Sequence, residues 1–81
     1  MPMSLELYSD AILLRDLPAH GLRAGDVGSV VERHEAGGKE GYSLEFFDMT
    51  GRTVAVVTVD AAVVRAPTAQ DLPSTRPRMA G

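Results

Sequence analysis

The sequence predicts an all-β domain, a small barrel of about five short strands with one helical turn before the last. Three observations carry this. Short β-branched and aromatic runs recur at close intervals, around residues 27–31, 42–47 and 54–59. Gly-, Pro- and Asp-rich stretches punctuate the chain between them. Residues 21–31, Gly-Leu-Arg-Ala-Gly-Asp-Val-Gly-Ser-Val-Val, run a glycine-rich reversal straight into a strand, with Gly28 just inside it. A glycine there marks a bulge, a tight bend or a close backbone approach, which a small, strongly curled sheet needs early in a strand.

Residues 1–10 read as a leader, frayed at its start and partly ordered. Leu5, Tyr8 and Ile12 have helical spacing, but Ala-Ile-Leu-Leu at 11–14 is a short apolar run between Ser9-Asp10 and Arg15-Asp16. By length it favours a buried strand, taken as residues 11–15. Residues 16–25 form a long loop, broken by Pro18 and Gly21. The second strand is 26–35. Val27, Ser29 and Val31 alternate, and the extra apolar Val30 implies a bulge or burial on both faces. Residues 36–41, Ala-Gly-Gly-Lys-Glu-Gly, make a flexible hairpin connection. The third strand, 42–47, sets Tyr42, Leu44 and Phe46 on one face against Ser43 and Glu45 on the other, until Phe47 puts an aromatic on the polar side. Residues 48–51 are a turn with Asp first and Gly fourth. In the fourth strand, 53–59, Ala55, Val57 and Val59 share one face, Val54 and Val56 the other. Asp60 is placed to cap a single helical turn. Residues 63–65 make a short fifth strand, ended by Pro67. Five strands, a long first loop, tight hairpins and that single turn give an SH3-like small barrel over residues 11–67. From residue 68 to 81 the chain is polar and Pro-broken, with too little to bury, and is expected to be a disordered tail.

At 81 residues the chain is one domain at most. So short a chain buries only about 60% of its unfolded surface, so its core is small and a partner is a natural source of added stability. The absence of cysteine excludes disulfides, thiol chemistry and Cys-ligated metal. A net charge of −3 runs against nucleic-acid binding, which favours a clustered basic patch. The apolar runs are too short to span a membrane. The start lacks the features of a secretion signal, so a cytoplasmic location is expected by default.

The run Gly21-Leu-Arg-Ala-Gly-Asp-Val-Gly-Ser-Val-Val, continuing through Tyr42-Ser-Leu-Glu-Phe to Val63-Val-Arg, resembles a small bacterial family of domains of unknown function. The resemblance covers about residues 11–67 and implies an SH3-like barrel without an established activity. The Gly-x-Val-Gly-x-Val core is also similar to the KOW motif of ribosomal and transcription-elongation proteins, and to the SH3-like part of nitrile hydratase β subunits and their accessory proteins. Those likenesses concern fold, and fold does not fix function.

No catalytic constellation is assembled by the sequence, and the chain is expected not to be an enzyme. His20 and His34 are the only histidines, and Asp16, Asp26 or Glu35 would have to converge on them to hold a metal. Solvated surface positions are the plainer reading, so no metal and no cofactor are expected. Asp26 reads as a turn residue accepting backbone N–H bonds rather than as a cleft carboxylate. Ser9, Ser29, Ser43, Thr53 and Thr58 have no motif linking them to a base. The arginines at 15, 23, 33, 52 and 65 are interspersed with acidic residues, which breaks any basic face. The informative cluster is Phe47, Val54 and Val56, which pairing of strands three and four places on one outward face. It is either covered by the curled sheet or exposed as a protein interface. Leu17, Pro18 and Leu22 in the long loop extend that surface. The leading expectation is therefore a noncatalytic interaction module that binds a protein partner or itself. The alternatives are a KOW-like nucleic-acid module, or an accessory subunit of an enzyme such as a nitrile-hydratase-like complex.

Overall fold

A computed structural model describes residues 5–78. They form one antiparallel sheet of five strands: β1 (Asp10–Leu13), β2 (Val27–Ala36), β3 (Lys39–Phe47), β4 (Thr53–Asp60) and β5 (Val64–Arg65). The spatial order is β4-β3-β2-β1-β5. Two 3-10 turns interrupt it, Pro18–His20 in the first long loop and Ala61–Val63 immediately before β5. The architecture is all-β and compatible with a small β-barrel-like fold, as the spacing of apolar runs predicts.

The hairpin between β2 and β3 is tighter than the six residues the sequence suggests. Gly37 and Gly38 make a two-residue turn with φ of 59° and 79°, the positive values that a primed turn requires and that match the twist of the flanking strands. The ladder therefore starts at Ala36↔Lys39 and runs through His34↔Gly41 and Glu32↔Ser43. Between Val30 and Glu32 the register shifts, which accounts for the Val30-Val31 doublet as a bulge: Val30 stays fully buried and Val31 is half-buried.

The core follows the alternation of β3. Tyr42, Leu44 and Phe46 are buried, together with Ala11, Leu13, Leu22, Val30, Val57 and Val64. Leu44 pairs with Val30 on one side and Val57 on the other, so these three side chains form a row across three strands. Asp60 caps the second 3-10 turn as expected, its Oδ1 accepting from the Ala62 N–H at 2.9 Å. The leader is fastened from residue 5 onward: the Leu5 N–H donates to the Tyr42 hydroxyl at 2.9 Å, and that hydroxyl donates to Glu40 Oε2 at 2.7 Å.

The segment expected to be disordered carries no regular element, yet two ion pairs tie it to the body. The Arg65 guanidinium grips Asp71 at 2.8 and 2.7 Å, and Arg76 reaches back across the molecule to Asp26. Residues 1–4 of the leader and 79–81 of the tail lie outside the described residues. Among the described residues no helix is long and apolar enough to cross a membrane.

Candidate functional site

The β3–β4 pair sets the outer face. Its ladder matches Ser43 with Thr58, Glu45 with Val56, Phe46 with Ala55 and Phe47 with Thr53. The skip between Ala55 and Thr53 makes Val54 the bulged residue. Phe47 and Val56 consequently share the outer face, 48% and 57% exposed. Val54 does not join them, because the bulge turns it to a half-buried position against the core. The outward cluster expected from strict alternation is thus two residues, with Val54 displaced by one extra position in the strand.

The loop residues divide likewise. Leu22 is only 4% exposed and belongs to the core, reaching the surface only where it lines a cleft. Leu17 pairs with Leu22 as an isolated bridge, donating its N–H to the Leu22 carbonyl at 2.9 Å, and is half-buried against the same core. Pro18 alone of the three is exposed, as the first residue of a 3-10 turn.

What the sequence did not disclose is a cleft. A cavity of about 400 Å³ lies between the start of β2, the β3–β4 turn and the tail. Val27, Phe46, Phe47, Met49 and Val54 give it an apolar side, and residues 73–76 and Arg78 form the opposite wall. Met49, on the turn, is 89% exposed. The turn is rigid where it bears Met49, because Asp48 Oδ1 accepts from the Thr50 N–H, the Thr50 hydroxyl and the Arg52 N–H at 2.8, 2.6 and 3.1 Å. The Thr50 bond is the first cause that holds the Asp48 carboxyl below its ordinary value.

Asp26 sits at the end of this cleft, its Oδ2 accepting the Arg23 N–H at 2.8 Å as turn chemistry predicts. Its carboxylate also receives the guanidinium of Arg76, Nε to Oδ1 at 3.0 Å and Nη2 to Oδ2 at 2.5 Å. Partial burial pushes Asp26 upward, and the Arg76 and Arg23 donors more than offset it, so it titrates below its ordinary 3.8. Asp71 is held well below the usual carboxylate range by Arg65. A carboxylate with a depressed folded value contributes stability above its unfolded value and loses it as pH falls through the folded one. As pH falls below about 4 the two pairs weaken progressively toward their folded values: the resonances of residues 68–78 move toward random-coil positions while those of β3 hold. Tail resonances that hold until the sheet itself unfolds would show that contacts other than these two pairs fix it.

A second constellation emerges from register. The hairpin brings His34 beside Ser43, Nε2 to Oγ at 2.8 Å, and Ser43 Oγ continues to Thr58 Oγ1 at 2.9 Å. Glu32 Oε1 lies 3.6 Å from the same His34 Nε2. In a nucleophilic triad the carboxylate orients one ring nitrogen while the other takes the hydroxyl proton. Here both partners converge on one nitrogen, and Ser43 is only 7% exposed. The arrangement ties three strands together on the outer face. A shallow cavity of about 460 Å³ borders it, lined mostly by charged side chains including Glu32, Arg33 and Glu35.

The other candidate residues stay apart. Among the described residues no three His, Asp or Glu side chains converge on a point where a metal would sit. Arg65 and Arg76 are committed to carboxylates. Of the four aromatics, Tyr42 and Phe46 are core, while Phe47 and Tyr8 are exposed, Tyr8 on a turn with a positive φ of 66°.

No curated protein and no solved structure matches the chain significantly. The model of one family does match, over residues 7–66, which spans all five strands and stops before the tail. The chain therefore belongs to the family described as Domain of unknown function (DUF4926).

Proposed function

We propose that this domain is a noncatalytic interaction module that docks a partner protein, or a second copy of itself, on the outer face of β3–β4 and the adjoining cleft. The observation that carries this reading is the exposure of Phe47, Val56 and Met49 around one end of the sheet, beside a cleft with an apolar wall. Large apolar groups gathered around a concave site are a feature of protein interfaces. The convergence of Ser43 and Glu32 on a single histidine nitrogen supports a role in contact rather than in chemistry.

The test is a double variant, Phe47→Ser with Val56→Thr. Both positions are on the outer face, so the fold is retained and the far-ultraviolet circular dichroism is unchanged. Light scattering over a range of concentrations, together with capture from native lysate, is expected to show the wild-type chain retaining a partner or another copy. The double variant is expected to lose at least about 2 kcal/mol of that association, more than tenfold in Kd. Equal retention by both proteins would remove this face from the function.

A further inference from the structure

The hydrogen bonds that join residues 72–78 to the body of the domain all come, among the described residues, from one side chain, Arg76. Its guanidinium makes three of them: two to the Asp26 carboxylate and one, Nη2 at 3.0 Å, to the Gly21 carbonyl. This is the planar, bidentate recognition to which arginine is suited and lysine is not.

The acceptors are held by bonds that do not involve the tail. Asp26 is fixed by the Arg23 N–H, and Asp16 Oδ1 pins the same loop by accepting the Ala24 N–H at 2.9 Å. The Gly21 carbonyl is set by the 3-10 turn, whose Pro18 carbonyl accepts the Gly21 N–H at 3.1 Å. A socket held by bonds outside its occupant is preorganised, and binding to it loses less to ordering. The occupant is a stretch that also suits exchange. Pro73 and Pro77 keep it extended, and the residue before a proline, here Arg76, is steered away from helical backbone. Arg78 and Asp48 line the same cleft. The sequence Arg-Pro-Arg therefore places two guanidinium side chains in a cleft that also holds the carboxylates of Asp26 and Asp48.

Resting on the reading of the domain as an interaction module, we infer that the Asp26–Gly21 socket and its cleft form a receptor for an extended, proline-flanked, arginine-bearing segment of a partner protein. Residues 73–78 of the chain itself are the resident occupant that such a segment displaces. Extended peptides of this kind are commonly read by aromatic-bearing grooves, and half-exposed Phe47 supplies the aromatic here.

The probe is a fluorescent peptide with the sequence of residues 72–78, Leu-Pro-Ser-Thr-Arg-Pro-Arg, titrated into the full chain. The variant Arg76→Ala vacates the socket at a surface position and is expected to bind the peptide saturably. The wild-type chain binds it about tenfold more weakly, because its tethered tail competes at high effective concentration. Binding is lost in the double variant Arg76→Ala/Asp26→Asn, and also when the peptide arginine matching Arg76 becomes alanine. As a readout independent of any variant, excess unlabelled peptide moves the amide resonances of Thr75 and Arg76 in the wild-type chain toward random-coil positions, because the tethered tail leaves the socket. Absence of saturable binding to Arg76→Ala, or binding indifferent to Asp26→Asn, overturns the inference and leaves Arg76 as a structural strap. If partner retention still depends on Phe47 and Val56, only the receptor inference has failed. If that dependence is absent too, the interaction reading has failed with it.

Discussion

Leu44→Ala lowers the unfolding free energy by about 3 kcal/mol, within the range of roughly 2–5 for a fully buried leucine. Leu44 is 0% exposed and stands mid-strand in β3, facing Val30 and Val57 across both of its ladders. Truncating it empties the middle of that row, and the neighbouring valines, stiff at χ1, have little freedom to close the gap. A domain of this size holds only about 4–12 kcal/mol in all, so the loss is a large fraction of the total. Urea denaturation should show a lower midpoint with an unchanged slope, the signature of stability lost without a change in the surface exposed. Leu44→Met, which nearly conserves volume, should cost less than about 1.5 kcal/mol. Equal losses for the two variants would mean that shape and volume at this position are not what stabilises the row.

The second large effect is expected from adding bulk at Gly28. A Cβ there would stand 2.9 Å from two carbons of the Phe46 ring and 3.1 Å from a third. The backbone of Gly28 is not left-handed, so the penalty is steric contact and not strain in φ. Phe46 is buried, and its ring has little room to retreat. Gly28→Ala is expected to cost about 1–2 kcal/mol and Gly28→Val about 3, the usual scale of overpacking. Combining Gly28→Ala with Phe46→Leu should cost clearly less than the sum of the two, because the smaller side chain vacates the contested space. Strict additivity would sink the explanation. Phe46 also lines the cleft, so Gly28→Ala should weaken partner retention as well as stability, linking the Gly28–Phe46 contact to the docking surface.

Much of this architecture was legible in the residues. Alternation in β3 marks its buried face, and the Val30-Val31 doublet leaves a bulge or two-sided burial open, of which the ladder shows the bulge. Gly28 signals a bulge, a bend or a close backbone approach, and what the structure places against it is the Phe46 ring. The bulge at Val54 left no such trace. Alternating valines look alike whichever way they point, so only the ladder shows that Val54 is the extra residue. Leu22 follows a Pro/Gly loop, whose sequence does not reveal that the Leu17–Leu22 bridge folds it into the core at the floor of the cleft rather than onto an open surface. The tail illustrates a different blindness. Its composition lacks the apolar groups that usually order a segment, and averages of hydropathy do not register single ion pairs. Arg76 meets Asp26 across a separation of 50 residues, and nothing local to either position announces the other. The His34–Ser43–Thr58 chain is an intermediate case: it follows from the hairpin register, once the two-glycine turn is known to be the point from which pairing is counted.

Strand β4 ends the sheet order on its side, and its residues 54–59, Val-Ala-Val-Val-Thr-Val, carry no charge at all. Among the described residues its outer backbone donors and acceptors face no further strand, a margin that can template growth from one molecule to the next. Arg52 and Asp60 bracket that margin with opposite charges, the arrangement by which natural chains discourage fibrillar stacking. Losses of protein during storage or heating should therefore begin at this rim, and the two bracketing charges, rather than the hydrophobic interior, set how concentrated a solution the chain tolerates.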